Sequence, residues 1–216
     1  QFRAAACLEI DIKGTRPHLV EQVIALWGDV GVHVLSMNGG TFRSCRAGYC
    51  RHAGWKVEAP MGTRFEDCNA QENPPAGGKC SPATAATLAG ALGHGYWIVP
   101  PATAVIEGPV CEKNGGAGIL VATSGILSDA ALSPTAEGDL QIIGGFFESN
   151  ASDPIRVRNA MGVTVRYTRF GAPGNPATQT EPVNFDKPDW GTLDTVIVSP
   201  LSVVSPWNDL PASSWI

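Results

Sequence analysis

Alternation of apolar and polar residues is clearest over Gly138–Phe170, GDLQIIGGFFESNASDPIRVRNAMGVTVRYTRF. Leu140, Ile142 and Phe146 alternate with smaller or polar neighbours. Ile155 and Val157 alternate with Arg156 and Arg158, and Val163, Val165 and Tyr167 alternate with Thr164, Arg166 and Thr168. A period of two predicts strands with one face in a core and one in water. Asn150–Pro154 and Asn159–Gly162 supply the turns between them. Ile119, Ile142 and Val165 recur at an interval of 23 residues. Such an interval suits one turn of a β-solenoid and predicts that the three stack in register. An antiparallel β-sandwich or jelly roll is the alternative, because the same alternation serves it.

Upstream the pattern changes. Ala5–Ile12 and Gly31–Met37 read as strands. Between them Leu19, Val20, Val23, Ile24, Leu26, Trp27 and Val30 fall at helical spacing, which predicts one α-helix over His18–Val30 with Pro17 at its start. That helix is expected to cover the open end of the solenoid. Asn38-Gly39-Gly40-Thr41-Phe42 echoes Ile143-Gly144-Gly145-Phe146-Phe147, a Gly pair at a corner before an aromatic. Arg43–Pro82 reads as an irregular, stapled loop, and Ala83–Leu92 as a short helix. The expected organisation is a single domain over residues 1–216. Its parts are a strand–helix–strand cap (1–42), a disulfide-rich loop region (43–82), a β-rich repeat region (83–198) and a C-terminal tail (199–216).

Composition changes the picture in two ways. Charged residues make up only 16% of the 216, and the net charge is −5, which argues against a nucleic-acid partner. No apolar run is long enough for a transmembrane helix. The 44% hydrophobic content leaves apolar surface for self-association. Six cysteines, Cys7, Cys45, Cys50, Cys68, Cys80 and Cys111, are an even number with four close together. They predict disulfides and hence a secreted, extracellular protein. The sequon Asn150-Ala151-Ser152 falls in an expected turn and is a glycosylation candidate.

The stretches LQIIGGFF, DPIRVRNA and GVTVRYTRF resemble right-handed parallel β-helix proteins of the pectate-lyase-like and phage-tailspike-like superfamily. The resemblance covers about a third of the chain if Gly118–Leu127 is included. It implies an elongated coil whose outer face binds or cleaves polysaccharide. Lyases of this kind use clustered Asp for calcium and an Arg base. Here Asp139, Asp153 and Asp194 stand apart.

Candidate chemistry centres on Arg156, Arg158 and Arg166, on the polar positions of neighbouring strands. Such guanidinium groups would grip carboxylated or sulfated sugars, and a solvated sheet face is the plain alternative. Trp55, Tyr96, Trp97, Trp190, Trp207 and Trp215 are candidates for stacking on sugar rings. His52, Glu58 and His94 are the nearest approach to a metal set, but no HExxH or GxSxG motif occurs, and no cofactor is implied. Two functions remain open. One is an extracellular structural, adhesive or carbohydrate-binding protein with an acidic polysaccharide as partner. The other is a polysaccharide lyase or glycoside hydrolase on a short β-helix. Side chains near Arg166 discriminate: acids favour catalysis, aromatic or small residues favour binding.

Overall fold

The computed structural model describes residues 6–12, 17–73, 93–123, 136–158, 160–171, 183–185 and 198–203. Each turn of the chain lays down three short strands. The first turn holds β1 (Ala6–Ile12), β2 (His18–Glu21) and β3 (Ile24–Leu26). The second holds β4 (Val30–Met37), β5 (Gly40–Arg43) and β6 (Arg46–Gly48), and the third β7 (Ala53–Glu58), β8 (Met61–Glu66) and β9 (Asn69–Gln71). Next come β10 (His94–Val99), β11 (Thr103–Glu107) and β12 (Val110–Glu112), then β13 (Ile119–Val121), β14 (Ala136–Ile143) and β15 (Phe146–Glu148). The chain continues with β16 (Ile155–Val157), β17 (Ala160–Phe170), β18 (Val183–Phe185) and β19 (Val198–Val203).

Two parallel sheets result. A 7-stranded sheet runs β1-β4-β7-β10-β13-β16-β18. A 12-stranded sheet takes the other two sides of each turn, and β17 passes through both sides and joins them. Every strand pairing among the described residues is parallel, so the sandwich and jelly-roll alternative is overturned. The arrangement is solenoid-like.

The core follows from the parity of each strand. On the first sheet Val32, Trp55, Tyr96, Ile119 and Ile155 stack inward; on the second Phe42, Phe65, Ile106, Ile142 and Val165 do. Aromatic rings fill the middle. Phe42 stacks on Phe65 with centroids 5.1 Å apart, Trp55 on Tyr96 at 5.8 Å, and Trp55 meets Phe65 edge-on. Their polar ends find backbone partners, as buried indole and phenol groups require. Trp55 Nε1 donates to Asn69 O, and Tyr96 OH donates to Cys68 O at 2.7 Å.

The corners are set by residues with positive φ. One ladder is Gln22, Ser44, Asp67, Gly108, Gly144 and Tyr167, with φ between 51° and 67°. Each of the first five donates its N–H to the carbonyl just before the next rung. A second ladder is Trp27, Tyr49, Glu72, Lys113 and Ser149. Inside that corner a row of amides runs between turns. The Cys50 N–H donates to Asn73 Oδ1, Asn73 Nδ2 to Asn114 Oδ1 at 2.8 Å, and Asn114 Nδ2 to Asn150 Oδ1 at 2.8 Å.

Several expectations are corrected. His18–Val30 is not a helix but β2 and β3, bent at Gln22 and ended at Trp27. Leu19, Ile24 and Trp27 face solvent, while Val20, Val23 and Ala25 turn inward. Two short strands around a corner mimic helical spacing. The region 43–82 is no loose loop: residues 43–73 carry β5 to β9 in regular register, and the remainder lies outside the described residues. So do Ala83–Leu92 and Cys80. The other cysteines, Cys7, Cys45, Cys50, Cys68 and Cys111, are free, so the disulfide expectation fails for them. Cys45 and Cys68 sit buried at one corner and Cys50 at another, where their thiols donate to nearby backbone carbonyls. They act as small apolar residues. The inference to an oxidising, extracellular compartment loses its basis with them. Finally, Ile142 stacks on Val165 as expected, but Ile119 lies in the other sheet. The upstream partner of Ile142 is Ile106.

Candidate functional site

The outer face of the second sheet carries a row in register: Glu21, Arg43, Glu66, Glu107, Ile143, Arg166. Its first half is neutralised internally. Arg43 bonds Glu66 through Nε at 2.8 Å and Glu21 through Nη1 at 3.1 Å. Arg64 reaches Glu107 at 3.1 Å and Glu66 at 3.3 Å. The hydrogen bond from Arg43 is the main cause that holds the Glu66 carboxyl below its ordinary pKa. Ile143 then interrupts the charges, and Arg166 follows with no carboxylate against it.

Around the corner from Arg166 lies a trough. The outward row on its far side is Asn69, Val110, Phe146, Arg169. Between the two rows run the corner rungs Asp67, Gly108, Gly144 and Tyr167. Because Gly108 and Gly144 have no side chains, a depression of roughly 410 Å³ opens, lined by Gly108, Val110, Gly144, Gly145, Phe146, Tyr167 and Arg169. Tyr167 is 62% exposed, a large ring left in solvent. Arg169 is also exposed and in no ion pair. The trough thus offers an aromatic face, an apolar bank and two cations whose charge nothing in the protein offsets.

The three sequence candidates do not share one surface. Arg156 lies on β16 in the first sheet, 3.8 Å from Asp153, and is partly buried. Arg158 is buried beyond the end of β16, its N–H bonded to Val121 O. Only Arg166 faces out beside the trough. Tyr167 read as an inward residue in sequence, because alternation from Val163 and Val165 points it into the core. The positive φ of Tyr167 turns it outward and resets the phase, so Thr168 and Phe170 are buried and Arg169 is exposed. The Gly144-Gly145 pair was the available signal for that corner.

Asn150 is 1% exposed, and its Nδ2 donates to Cys111 O at 3.0 Å, so the sequon nitrogen is engaged inside the folded protein. The polar set on the first sheet is also internally matched. His33 Nε2 lies 2.8 Å from Glu58 Oε1, and Lys56 is 2.6 Å from the same oxygen. Burial pushes the Glu58 carboxyl up, but the bonds from Lys56 and His33 outweigh it and hold the group below its ordinary value. Lys56 also lies 4.7 Å from the Trp97 ring centre. His94 accepts the Ala117 N–H at Nδ1, and burial lowers the pKa of His52. Among the described residues no group of three or more His, Cys, Asp or Glu side chains is placed to hold a metal. Nor is there, among them, a helix long and apolar enough to cross a membrane. Trp55 and Tyr96 are core residues rather than sugar platforms. Compared with known proteins, the chain matches no family model, no curated protein and no solved structure.

Proposed function

We propose that the protein is a β-solenoid scaffold that binds an acidic polysaccharide segment in the Gly108–Gly144 trough, without chemistry on it. One observation carries this reading. Arg166 and Arg169 stand unneutralised on either side of exposed Tyr167, whereas Arg43 and Arg64 are each held between glutamates. Exposed guanidinium groups bind carboxylate or sulfate in a planar fork, and an aromatic face takes the apolar side of a sugar ring. The neighbours of Arg166 are Ile143, Gly144 and Tyr167, apolar, small and aromatic, which supports binding over acid–base catalysis. Parallel strands joined by successive crossovers favour a right-handed coil. That handedness is what a member of the pectate-lyase-like and tailspike-like group would have.

Calorimetric titration with acidic and neutral oligosaccharides tests the proposal. Binding should be seen for the acidic ones, and Tyr167→Ala should weaken it roughly 3- to 10-fold, the range of one aromatic contact. Arg166→Lys with Arg169→Lys keeps the charge but loses the fork, and should weaken it too. Gly144→Asn should fill the trough without breaking the corner, because Asn tolerates positive φ. Binding that survives Tyr167→Ala and Gly144→Asn unchanged would place the ligand elsewhere and refute this site.

A further inference from the structure

The trough has two unlike ends. At one stand Tyr167, Arg166 and Arg169. At the other, Asp67 is the rung before Gly108, and its carboxylate leans over that glycine: an ideal Cβ on Gly108 would lie 2.5 Å from Asp67 Oδ1. The rung between is bare, since the nearest atom to an ideal Cβ on Gly144 is the Gly108 nitrogen, 4.0 Å away. Asp67 is exposed and in no ion pair, so its charge is not offset locally. From the Gly108 rung to the Tyr167 rung is two strand spacings, about 10 Å. That is about one Debye length at 0.1 M salt, so a ligand gripped at the arginine end still feels the carboxylate at the other.

We infer that Asp67 is a specificity-determining residue that selects a sparsely charged acidic glycan over a densely charged one. The inference rests on the trough reading above. The single anionic group of the preferred ligand takes the arginine end. The sugars that follow lie over Gly144 toward Asp67 with Val110 and Phe146 alongside. Neutral units there offer hydroxyl donors to the Asp67 carboxylate, which accepts only. A polymer with a carboxylate on every unit instead places a second anion against it. Such a like-charge contact rejects a wrong ligand without adding affinity for the right one.

The test is calorimetry of the whole chain with sialyllactose, which carries one carboxylate, trigalacturonate, which carries one on each unit, and neutral maltotriose. The wild type should bind sialyllactose most tightly. Asp67→Asn keeps a side chain at home with positive φ. It should tighten trigalacturonate roughly 3-fold or more, about the worth of one exposed charge pair, and leave sialyllactose within about twofold. The gain should fade at about 1 M salt, where the screening length drops to about 3 Å. A wild type that prefers trigalacturonate, or a ratio that Asp67→Asn does not move, overturns the role of Asp67 while the trough stands. If neither acidic ligand binds, the trough reading falls and this inference with it.

Discussion

Asn114 holds together more of one corner than any other side chain there. Its Oδ1 accepts from Asn73, and its Nδ2 donates to both Asn150 Oδ1 and Ala70 O. All three asparagines are buried, so an unmade bond is not recovered from water. Asn114→Ala should therefore destabilise by roughly 2–4 kcal/mol, because two neighbours lose a partner as well. Urea unfolding followed by circular dichroism measures this, and a loss below about 0.5 kcal/mol would show the row to be incidental. The same scale explains what the sequence hid. Asparagine, serine and aspartate read as turn formers, and they are. Nothing local marks Tyr49 or Tyr167 as residues of positive φ, because the conformation is imposed by the turns stacked on either side. That is why Arg166 was legible as a surface residue while Tyr167 and Arg169 were not.

At the scale of strands, parity and register do most of the work. The alternation over β14 and β17 is readable because each is long enough to show it: Leu140 and Ile142 in one, Val163 and Val165 in the other. Three-residue strands such as β3 and β6 show no period of their own, and β2 with β3 imitates a helix. The outer row Glu21–Arg43–Glu66, with Arg64 and Glu107 beside it, ties three strands into an ion-pair network whose pH dependence has a definite sign. The folded-state pKa values of Glu66 and Glu58 lie below their reference value of 4.5. Their contribution is present above that value and is lost as pH falls through the folded-state values. The urea midpoint should stay level from about pH 7 to 5 and drop below about pH 4.5. Glu66→Gln should reduce the size of that drop, and an identical acid profile for the variant would exclude the network as its source.

Across the whole molecule, a compact stack of parallel turns replaces the cross-linking that the cysteine count suggested. Buried aromatic rings and the amide row make the interior. Burial raises the thiol pKa of Cys50 to about 11 and of Cys68 to about 12, and that of Cys111 also rises. These groups stay protonated and shielded near neutrality. Native protein at about pH 8 should react with iodoacetamide at exposed Cys7, while Cys45, Cys50, Cys68 and Cys111 react only after denaturation. Reductant should leave the melting temperature unchanged. Peptide mapping that finds any of the five already linked would contradict the fold at that position. The overall architecture was thus half visible in sequence. The parallel stacking of Ile142 on Val165 could be read from spacing, whereas the place of Ile119 could not, because the turn that contains it is longer than its neighbours.

That unequal turn length has a practical meaning. Val57 pairs with Ile98, 41 residues on, as smoothly as Val34 pairs with Val57, 23 residues on. Ile106 likewise meets Ile142 after 36 residues, and Ile142 meets Val165 after 23. The chain leaves the ladder at a corner and rejoins it in phase, so the rungs on either side do not record how much was spliced between them. Each doubling of such a detour costs only about 0.6 kcal/mol of closure entropy. The protein is in this sense an expandable chassis, in which foreign segments grafted at positions 73–93 or 123–136 would be carried outside the stack while the trough at Gly144 keeps its shape.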